Sequence, residues 1–456
     1  MNSFSLYIHY PFCIKRCPYC GFATAVEKED LAVKYREVLL LELKRCAEEE
    51  PWRDGVVRTI YFGGGTPSLM PPEFVNEVIE LIGRLWQIDE TGGRTLLSAR
   101  SSTPVFHLAD RGVRPPSTIF VPSGLERSGD LTGDTCQFTP YGLRTDRTYK
   151  SELDSAKARA DRSVRPPETC GIEITLEANP ETRDITAFRG FFEAGVNRIS
   201  MGAQSFDPEE LKLLGRAHSV DGVRQAVAMA REVGFKNLSL DLIYGVPGQT
   251  VESFRRSVEG VLELGVEHLS TYTLSIEEGT PFARSVKEKR LPYPDPDLMA
   301  DQYEVLIELA RSAGFEHYEL TNYCKPGYHS RHNSVYWQRT PYLGVGCGAH
   351  SFDGVNRFWN RRDTRQHIAA VRSGNEPREG IESLNPADIL QERLYLELRQ
   401  SRGLSRDDEA SLCKPDVVDL LIGEGFLVRE KERLRVAEAK WLMLDEIVLR
   451  LQNAGK

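Results

Sequence analysis

The hydrophobic pattern of this chain alternates between short β-rich runs and amphipathic helical stretches. Such alternation is typical of repeated βα units, which build a parallel sheet with helices packed on it. The predicted strands cover residues 5–9, 58–62, 172–177, 197–201, 237–242 and 268–274. A predicted helix over 297–313 and a strand over 315–320 follow them. With 456 residues, the chain is long enough for one large α/β barrel with an appended domain, or for two or three domains.

Composition and charge exclude several classes of protein. Hydrophobic residues make up 40% of the chain and charged residues 27%, which excludes collagen-like, coiled-coil and wholly disordered chains. The formal net charge of -9 leaves no sequence-wide basic field for phosphate backbones, so we expect no nucleic acid partner. Strand-like sequence begins at Phe4, and no apolar run approaches the roughly 20 residues of a membrane span. We therefore expect no signal or transit peptide and a cytoplasmic location.

Two regions depart from the βα pattern. Residues 88–171 are rich in Ser, Thr, Gly, Pro and Arg, which predicts a low-complexity, disordered insertion or a gene-model artefact without a catalytic role. After Asp353 the sequence predicts two helices, a β-hairpin over 426–436 and a last helix over 441–451, as in a small winged-helix-like domain. We therefore expect a barrel in residues 1–87 and 172–353, and a C-terminal domain in residues 354–456.

The most informative segment lies directly after the first predicted strand. Cys13, Cys17 and Cys20 form a CxxxCxxC loop, and an odd total of nine cysteines does not fit a secreted disulfide framework. Thiolates at this spacing can hold one iron–sulfur cube, and three ligands leave the fourth iron open to a substrate or cofactor. Zinc is the alternative; it requires a fourth ligand nearby, and His9 on the strand is poorly placed for that role.

Polar residues follow the C-terminal ends of the later predicted strands, where (β/α) barrels carry their catalytic groups. A Gly-Gly-Gly-Thr-Pro turn allows close backbone approach to a ligand and can hydrogen-bond an ammonium or a carboxylate. The candidate residues are Gly64, Gly65 and Thr66 in this turn, Glu177 and Gln204 at strand ends, Arg216 for a carboxylate and Asp241 for a ribose diol. Each alone has an ordinary explanation, such as a turn or an ion pair. Together they indicate one ligand site at a barrel mouth.

These motifs resemble two nested families. The cysteine loop with the glycine turn is similar to the radical S-adenosylmethionine (SAM) superfamily, whose [4Fe–4S] cluster binds SAM through its open iron and cleaves it with one electron to methionine and a 5′-deoxyadenosyl radical. The Tyr-Ile-His-x-Pro-Phe-Cys opening, Glu-Ala-Asn-Pro, Ser-Met-Gly-x-Gln-Ser and Asp-Leu-Ile-Tyr-Gly-x-Pro-Gly-Gln resemble the oxygen-independent coproporphyrinogen III oxidase family and its haem-chaperone (HemW-like) branch. The resemblance covers nearly the whole chain outside the insertion.

The resemblance implies a set of cofactor-binding residues. It makes Cys13, Cys17 and Cys20 the cluster ligands and places Tyr19 beside the cluster. It implies that SAM is contacted by Tyr7, Gly64, Gly65, Thr66, Glu177, Gln204, Arg216 and Asp241.

Three features favour the haem-chaperone branch over the oxidase. Phe22 occupies the position of the last cysteine in the oxidase's CxxxCxxCxC motif, and only 12 residues precede Cys13, where the oxidase carries an N-terminal extension. His332, Tyr336 and Trp337 match the HNxxYW pattern that is associated with haem binding in the chaperone branch. His332 could supply an axial nitrogen to haem iron while the two aromatic rings pack on the macrocycle. The alternative is a buried histidine in a polar network beside an aromatic core.

The sequence therefore predicts an α/β fold: an incomplete (β/α)6 radical SAM barrel, similar to a TIM barrel, with a small C-terminal helical, winged-helix-like domain. The expected function is a haem chaperone that uses a [4Fe–4S] cluster and SAM and delivers haem, its cargo, to haem proteins. Expected partners are haem or a porphyrinogen, an electron-donor protein and a haem-accepting protein; a peripheral membrane contact stays open.

The alternative function is oxidative decarboxylation of coproporphyrinogen III to protoporphyrinogen IX. Phe22 argues against this activity, so we leave open whether the chain is an enzyme and assign no catalytic residue. We expect Cys324 and Cys347, which lie near His332 in sequence, to be inert small core residues.

Overall fold

The computed structural model describes residues 2–89, 171–181 and 184–453. Residues 90–170, which make up most of the expected insertion, lie outside these ranges. Among the helices of the three described ranges, none combines the length and hydropathy that a bilayer-spanning helix requires.

The strands of the described residues are β1 (Ser3–Tyr10), β2 (Phe12–Cys13), β3 (Ala25–Val26), β4 (Val56–Gly64), β5 (Gln87–Ile88), β6 (Glu173–Ala178), β7 (Arg198–Gln204), β8 (Leu238–Tyr244), β9 (His268–Thr273), β10 (Glu316–Glu319), β11 (Asn322–Cys324), β12 (Tyr342–Val345), β13 (His350–Phe352), β14 (Asn356–Asn360), β15 (Arg378–Ser383), β16 (Leu404–Ser405), β17 (Leu427–Glu430) and β18 (Arg433–Val436). Six of them are parallel neighbours in the order β1–β4–β6–β7–β8–β9. These six strands confirm the predicted incomplete (β/α)6 barrel.

The helices cover Glu29–Glu48, Pro72–Leu85, Ile185–Glu193, Pro208–Leu213, Val220–Val233, Val251–Glu263, Pro281–Lys287, Pro296–Ser312, Arg331–Trp337, Thr364–Arg372, Pro386–Leu398, Arg406–Leu412, Pro415–Gly423 and Leu444–Asn453, and 3-10 turns cover Pro67–Leu69 and Glu438–Met443. Side-chain caps begin several of the barrel helices. Thr250 and Ser253 form a capping box at the start of helix Val251–Glu263, which satisfies backbone N–H groups that have no partner within the helix.

The sheet extends past the six predicted strands on both edges. β12 adds a parallel strand beside β1, and β13, β14 and β15 continue antiparallel from it. On the other edge, β11 and β10 pair antiparallel with β9. The hydrophobic pattern missed β12 because it is four residues long and glycines follow it closely. β14 and β15 carry the sheet beyond residue 353, where we expected the barrel to end.

Strand alternation separates an apolar from a polar face of the barrel sheet. In β8, Leu240 and Leu242 are fully buried in the main hydrophobic core. Asp241, between them, points to the opposite face, because successive side chains of a strand alternate. There it accepts hydrogen bonds from the hydroxyls of Ser200 on β7, at 3.2 Å, and Ser239, at 3.5 Å. The polar face is therefore the concave interior of the barrel, where a ligand site can form.

The predicted C-terminal elements are present, together with helices Thr364–Arg372 and Arg406–Leu412 and strands β14, β15 and β16, which were not predicted. The hairpin expected over 426–436 is present as β17 and β18, and β16 joins them in a three-stranded antiparallel sheet. Trp441 is 3% exposed, and its indole Nε1 donates to the carbonyl of Leu398 at 3.2 Å. This contact fixes the last helical segment against helix Pro386–Leu398. The proposed domain boundary at residue 353 remains a prediction.

Candidate functional site

The three cysteines lie in the loop that follows β1. Cys13 ends β2, which pairs with β3, and the Cys20 N–H donates to the Cys17 carbonyl at 3.3 Å, closing a tight turn. All three thiols are free and half-buried. The loop therefore presents unoxidised sulfur donors beside the C-terminal ends of the barrel strands.

The thiols are close enough to affect one another. Burial raises the pKa of Cys13 to about 11, a hydrogen bond with Thr66 opposes this, and the nearby charges of Cys20 and Cys17 raise it further. Burial is also the main reason that the pKa of Cys20 is raised. The Arg216 guanidinium, 3.5 Å from the Cys17 sulfur, is a cationic group beside these sulfur donors. Clustered thiols with a nearby cation fit a bound iron–sulfur cluster, whose ligands are thiolates.

The distances between the sulfur atoms of the three loop cysteines bear on whether the loop could hold a single zinc ion. Within the described ranges, these three cysteines do not bring their sulfur atoms within 4.8 Å of one another as a group. Sulfurs on one tetrahedral zinc ion lie about 3.8 Å apart, given a Zn–S distance of about 2.3 Å. This spacing is compatible with a multinuclear cluster, whose ligands bind different metal atoms.

Glu177 links the glycine turn to the centre of the barrel. Its carboxylate accepts a hydrogen bond from the Tyr61 hydroxyl at 2.8 Å and from the Gly64 N–H at 3.0 Å. Burial raises the pKa of Glu177 to about 7, although these two hydrogen bonds and Arg198 act in the opposite direction. Gly64 has a φ of +119°, and a Cβ at this position would lie 2.6 Å from the His9 ring. Glycine is thus required here by both conformation and space.

Gln204, Arg216 and Asn179 converge above Gly202. A Cβ on Gly202 would lie 2.5 Å from Gln204 Nε2, 3.3 Å from Arg216 Nη2 and 3.4 Å from Asn179 Oδ1. Gln204 has a φ of +66°, an uncommon conformation for a non-glycine residue that occurs at functional sites. This arrangement brings the Arg216 guanidinium and the Gln204 amide close together, which suits the binding of a carboxylate.

Asp241 on β8 and Arg198 on β7 lie on neighbouring strands of the barrel sheet. Burial raises the pKa of Asp241 to about 6, whereas Arg198 and three serine hydroxyls lower it. Arg198 is 1% exposed, and its Nε has no hydrogen-bond partner among the described residues. A buried, incompletely paired guanidinium is costly unless it stabilises anions nearby. Arg198 begins the motif of the fourth predicted strand and was an expected basic residue of the barrel mouth, whereas Tyr61 was not predicted as a site residue.

Tyr7 and Tyr19 lie on two sides of the predicted site. The Tyr7 hydroxyl is 3.1 Å from His9 Nδ1, and its ring stacks on Tyr61 with centroids 6.0 Å apart. Tyr19 is half-buried and lies next to Cys17, and its ring packs edge-on against Phe282. Contact of either ring with SAM or the cluster stays a prediction.

His332 lies deeper in the barrel, at the start of helix Arg331–Trp337. It is fully buried; Thr59 Oγ1 is 2.7 Å from its Nδ1, and the Tyr336 hydroxyl is 2.9 Å from its Nε2. Its ring stacks on Tyr61 with centroids 4.8 Å apart. Burial, aided by Arg198, lowers the pKa of His332 to about 3, so the imidazole is neutral at physiological pH. Coordination of iron by Nε2 requires the Tyr336 hydroxyl to move away.

The helix of His332 is held at both ends. The Glu173 carboxylate accepts hydrogen bonds from the backbone N–H groups of Arg331, at 3.0 Å, and His332, at 2.9 Å. At the other end, the Arg399 guanidinium lies 4.1 Å from the centre of the Trp337 ring. Trp337 therefore packs against the C-terminal elements, and its expected contact with haem stays a prediction.

Comparisons with known proteins identify relatives of this chain. A family model described as the radical SAM superfamily matches residues 7–108 and 141–261. The haem chaperone HemW of Escherichia coli (strain K12) is 32% identical, and the alignment covers 97% of this chain and 97% of the relative. HemW of Mycobacterium tuberculosis (strain ATCC 25618 / H37Rv) is 28% identical, over 98% of this chain and 94% of the relative.

A solved structure has a similar fold. Coproporphyrinogen III oxidase (HemN) from Escherichia coli, described as a radical SAM enzyme, aligns with a TM-score of 0.71 over 99% of this chain and 91% of that chain. The two chains are 19% identical, so this likeness supports the fold alone.

Proposed function

This chain belongs to the radical SAM superfamily and, within it, to the family of HemW haem chaperones, and on that premise we propose that it binds haem and delivers it to haem proteins. The single observation that carries the proposal is the combination of the three-thiol loop with a buried, neutral histidine on the HNxxYW helix of the same barrel. We include in the proposal a cytoplasmic location, an electron-donor protein and a haem-accepting protein.

We assign the cofactors to the residues that converge at the barrel mouth. Cys13, Cys17 and Cys20 would hold the [4Fe–4S] cluster. When bound, the cluster and SAM supply one-electron chemistry. Arg216 and Gln204 suit the SAM carboxylate by charge and by their common position above Gly202.

The remaining SAM contacts follow from charge and hydrogen-bonding capacity. Glu177 and Asp241 offer carboxylates to the amine, the ribose hydroxyls and the positive sulfonium. Arg198 favours the ionised form of both carboxylates, so we treat it as a positioning residue. The other proposed contacts are Tyr7, Tyr19, Gly64, Gly65 and Thr66.

We propose that His332 supplies the haem ligand. A ligating histidine usually holds its other nitrogen in a hydrogen bond that fixes the tautomer, and Thr59 is 2.7 Å from Nδ1. The lowered pKa keeps the ring in the neutral form that binds metals. Tyr336, whose hydroxyl approaches Nε2, must then rotate when haem binds. We retain Tyr336 and Trp337 as proposed haem contacts in that opened conformation.

The glycine turn provides a direct test of the proposed SAM site. Gly64→Ala is expected to weaken SAM binding by at least tenfold, because the new methyl group meets the His9 ring and displaces the N–H that bonds Glu177. Unfolding free energy should also decrease, by about 1–2 kcal/mol. Titration calorimetry of the cluster-loaded chain with SAM measures the first effect. Gly83→Ala, in helix Pro72–Leu85 with open space around it, is the matched control and should change neither quantity adversely.

Haem binding is tested by anaerobic haem titration, monitored by absorbance. The wild-type chain and His350→Ala, whose histidine is exposed and stacked on Trp359, should bind haem equally. His332→Ala should bind at least tenfold more weakly, with its fold checked by circular dichroism. Coproporphyrinogen conversion is assayed in parallel. Protoporphyrinogen formation without haem binding would favour the decarboxylase instead, and equal haem binding by His332→Ala would exclude this ligand.

A further inference from the structure

Glu316, Cys324 and His329 form a cluster of metal-binding side chains away from the cofactor site. One ligand atom from each lies within 4.8 Å of the other two. Glu316 and Cys324 are directly opposite each other on the antiparallel pair β10 and β11, and the chain then turns back through Gly327, which has a φ of +86°, to bring His329 to them. The cluster is therefore built by the sheet register and a tight turn.

The cluster lies at the end of the barrel opposite to the cysteine loop. Cys324 pairs with His268, the first residue of β9, so it lies level with the N-terminal end of that parallel strand. The cysteine loop, in contrast, follows the C-terminal end of β1. The two sets of sulfur donors therefore cannot share one ion or cluster.

We propose that Glu316, Cys324 and His329 bind a divalent transition metal of the zinc class. The donor set of one sulfur, one imidazole nitrogen and one carboxylate oxygen is the kind that zinc accepts, and the soft sulfur disfavours magnesium and calcium. This proposal goes beyond the proposed haem function and does not depend on it. It also revises our expectation that Cys324 is inert.

The distances suit one ion. His329 Nε2 and Glu316 Oε2 are 3.0 Å apart, and two such ligands at tetrahedral angles on zinc lie about 3.4 Å apart. Small side-chain rotations close this difference, because both side chains are about half exposed. Three protein ligands leave one coordination position for water or an outside ligand.

The site has a preformed frame. The His329 ring stacks on Tyr318 with centroids 4.4 Å apart, which orients the imidazole. Cys324 is fully buried, whereas Glu316 and His329 are about half exposed, and the Tyr328 N–H donates to the Lys325 carbonyl at 3.0 Å within the turn that joins Cys324 to His329. Because the next residue after His329 is Ser330, the N-cap of the His332 helix, a bound ion would tether the start of that helix to the sheet edge.

Zinc titration of the full chain tests the proposal. The chain is first loaded with its iron–sulfur cluster, so that the thiols of the cysteine loop are engaged, and is then titrated anaerobically with Zn²⁺ by calorimetry. We expect one zinc per chain, with affinity lowered at least tenfold in both Cys324→Ser and His329→Gln. His329→Gln changes a half-exposed side chain, so it remains informative if Cys324→Ser folds poorly.

Controls separate this site from the cofactor site. Cys413→Ser, which alters a half-buried cysteine in the C-terminal part, should retain full zinc binding. Co²⁺ should give a thiolate-to-metal absorption band that disappears in Cys324→Ser, and iron content should stay constant throughout. Zinc binding that is equal in the wild type, Cys324→Ser and His329→Gln, or absent from all three, would overturn the proposal.

Discussion

Replacing Cys17 by serine is expected to remove almost all cluster iron, from about four atoms per chain to less than one. A hydroxyl is a weaker iron ligand than a thiolate, and the loop offers only three sulfur donors. Cys17 is also the thiol that lies next to the Arg216 guanidinium, so the change removes the sulfur partner of this half-buried cation. Iron and sulfide analysis of anaerobically reconstituted protein measures the result.

The matched control is a cysteine outside the loop. Cys413→Ser alters a half-buried thiol at the end of helix Arg406–Leu412 and should leave iron and sulfide content unchanged. Full iron content in Cys17→Ser, or equal loss in both variants, would contradict the assignment of the cluster to this loop.

SAM binding is expected to weaken by more than tenfold between about pH 7.5 and about pH 5.5. The pKa of Glu177 is raised to about 7 and that of Asp241 to about 6, so both carboxyl groups become protonated in this range. Only the ionised forms accept hydrogen bonds from an amine or a ribose hydroxyl with both oxygens and attract the sulfonium charge. Affinity should therefore be lost as pH falls, first through Glu177 and then through Asp241. Calorimetric titration with SAM across the pH range measures it.

Glu177→Gln separates binding from folding in this experiment. The variant should bind SAM weakly at all pH values. The part of the pH dependence of SAM affinity that arises near pH 7 should be absent from it. Because the folded pKa of Glu177 lies above its ordinary value, the ionised carboxylate lowers the stability of the free protein as pH rises towards 7. The amide should therefore leave unfolding free energy above pH 7 unchanged or higher. A wild-type affinity that does not vary with pH would contradict the roles of both carboxylates.

Much of the barrel could be predicted because its signals are local. Each of the six parallel strands carries an apolar run, and the observed strands differ from the predicted ranges by a few residues. Glu177, Gln204 and Asp241 could be found for the same reason, since strand ends of a βα barrel meet at one mouth. The convergence of Gln204 and Arg216 on Gly202 could not be predicted from the sequence. It depends on the positive φ of Gln204 and on the absence of a Cβ at Gly202.

Contacts between residues that lie far apart in the sequence were not predicted. Thr59 and Tyr61 surround His332, although more than 270 residues separate them along the chain. The Glu173 carboxylate that holds the start of the same helix is likewise distant in sequence. Such contacts arise from the packing of whole elements, which periodicity and motif spacing do not encode. This is why sequence alone left open whether His332 is a ligand or a buried core residue.

The most direct test of the central claim is electron paramagnetic resonance of the reduced, cluster-loaded chain with and without SAM. The account predicts that SAM changes the cluster spectrum, and that SAM labelled with a magnetic nucleus at its amine or carboxylate shows coupling to the cluster, because one iron is open to it. A spectrum that SAM leaves unchanged, in protein that holds a full cluster, would contradict an open iron in the loop of Cys13, Cys17 and Cys20.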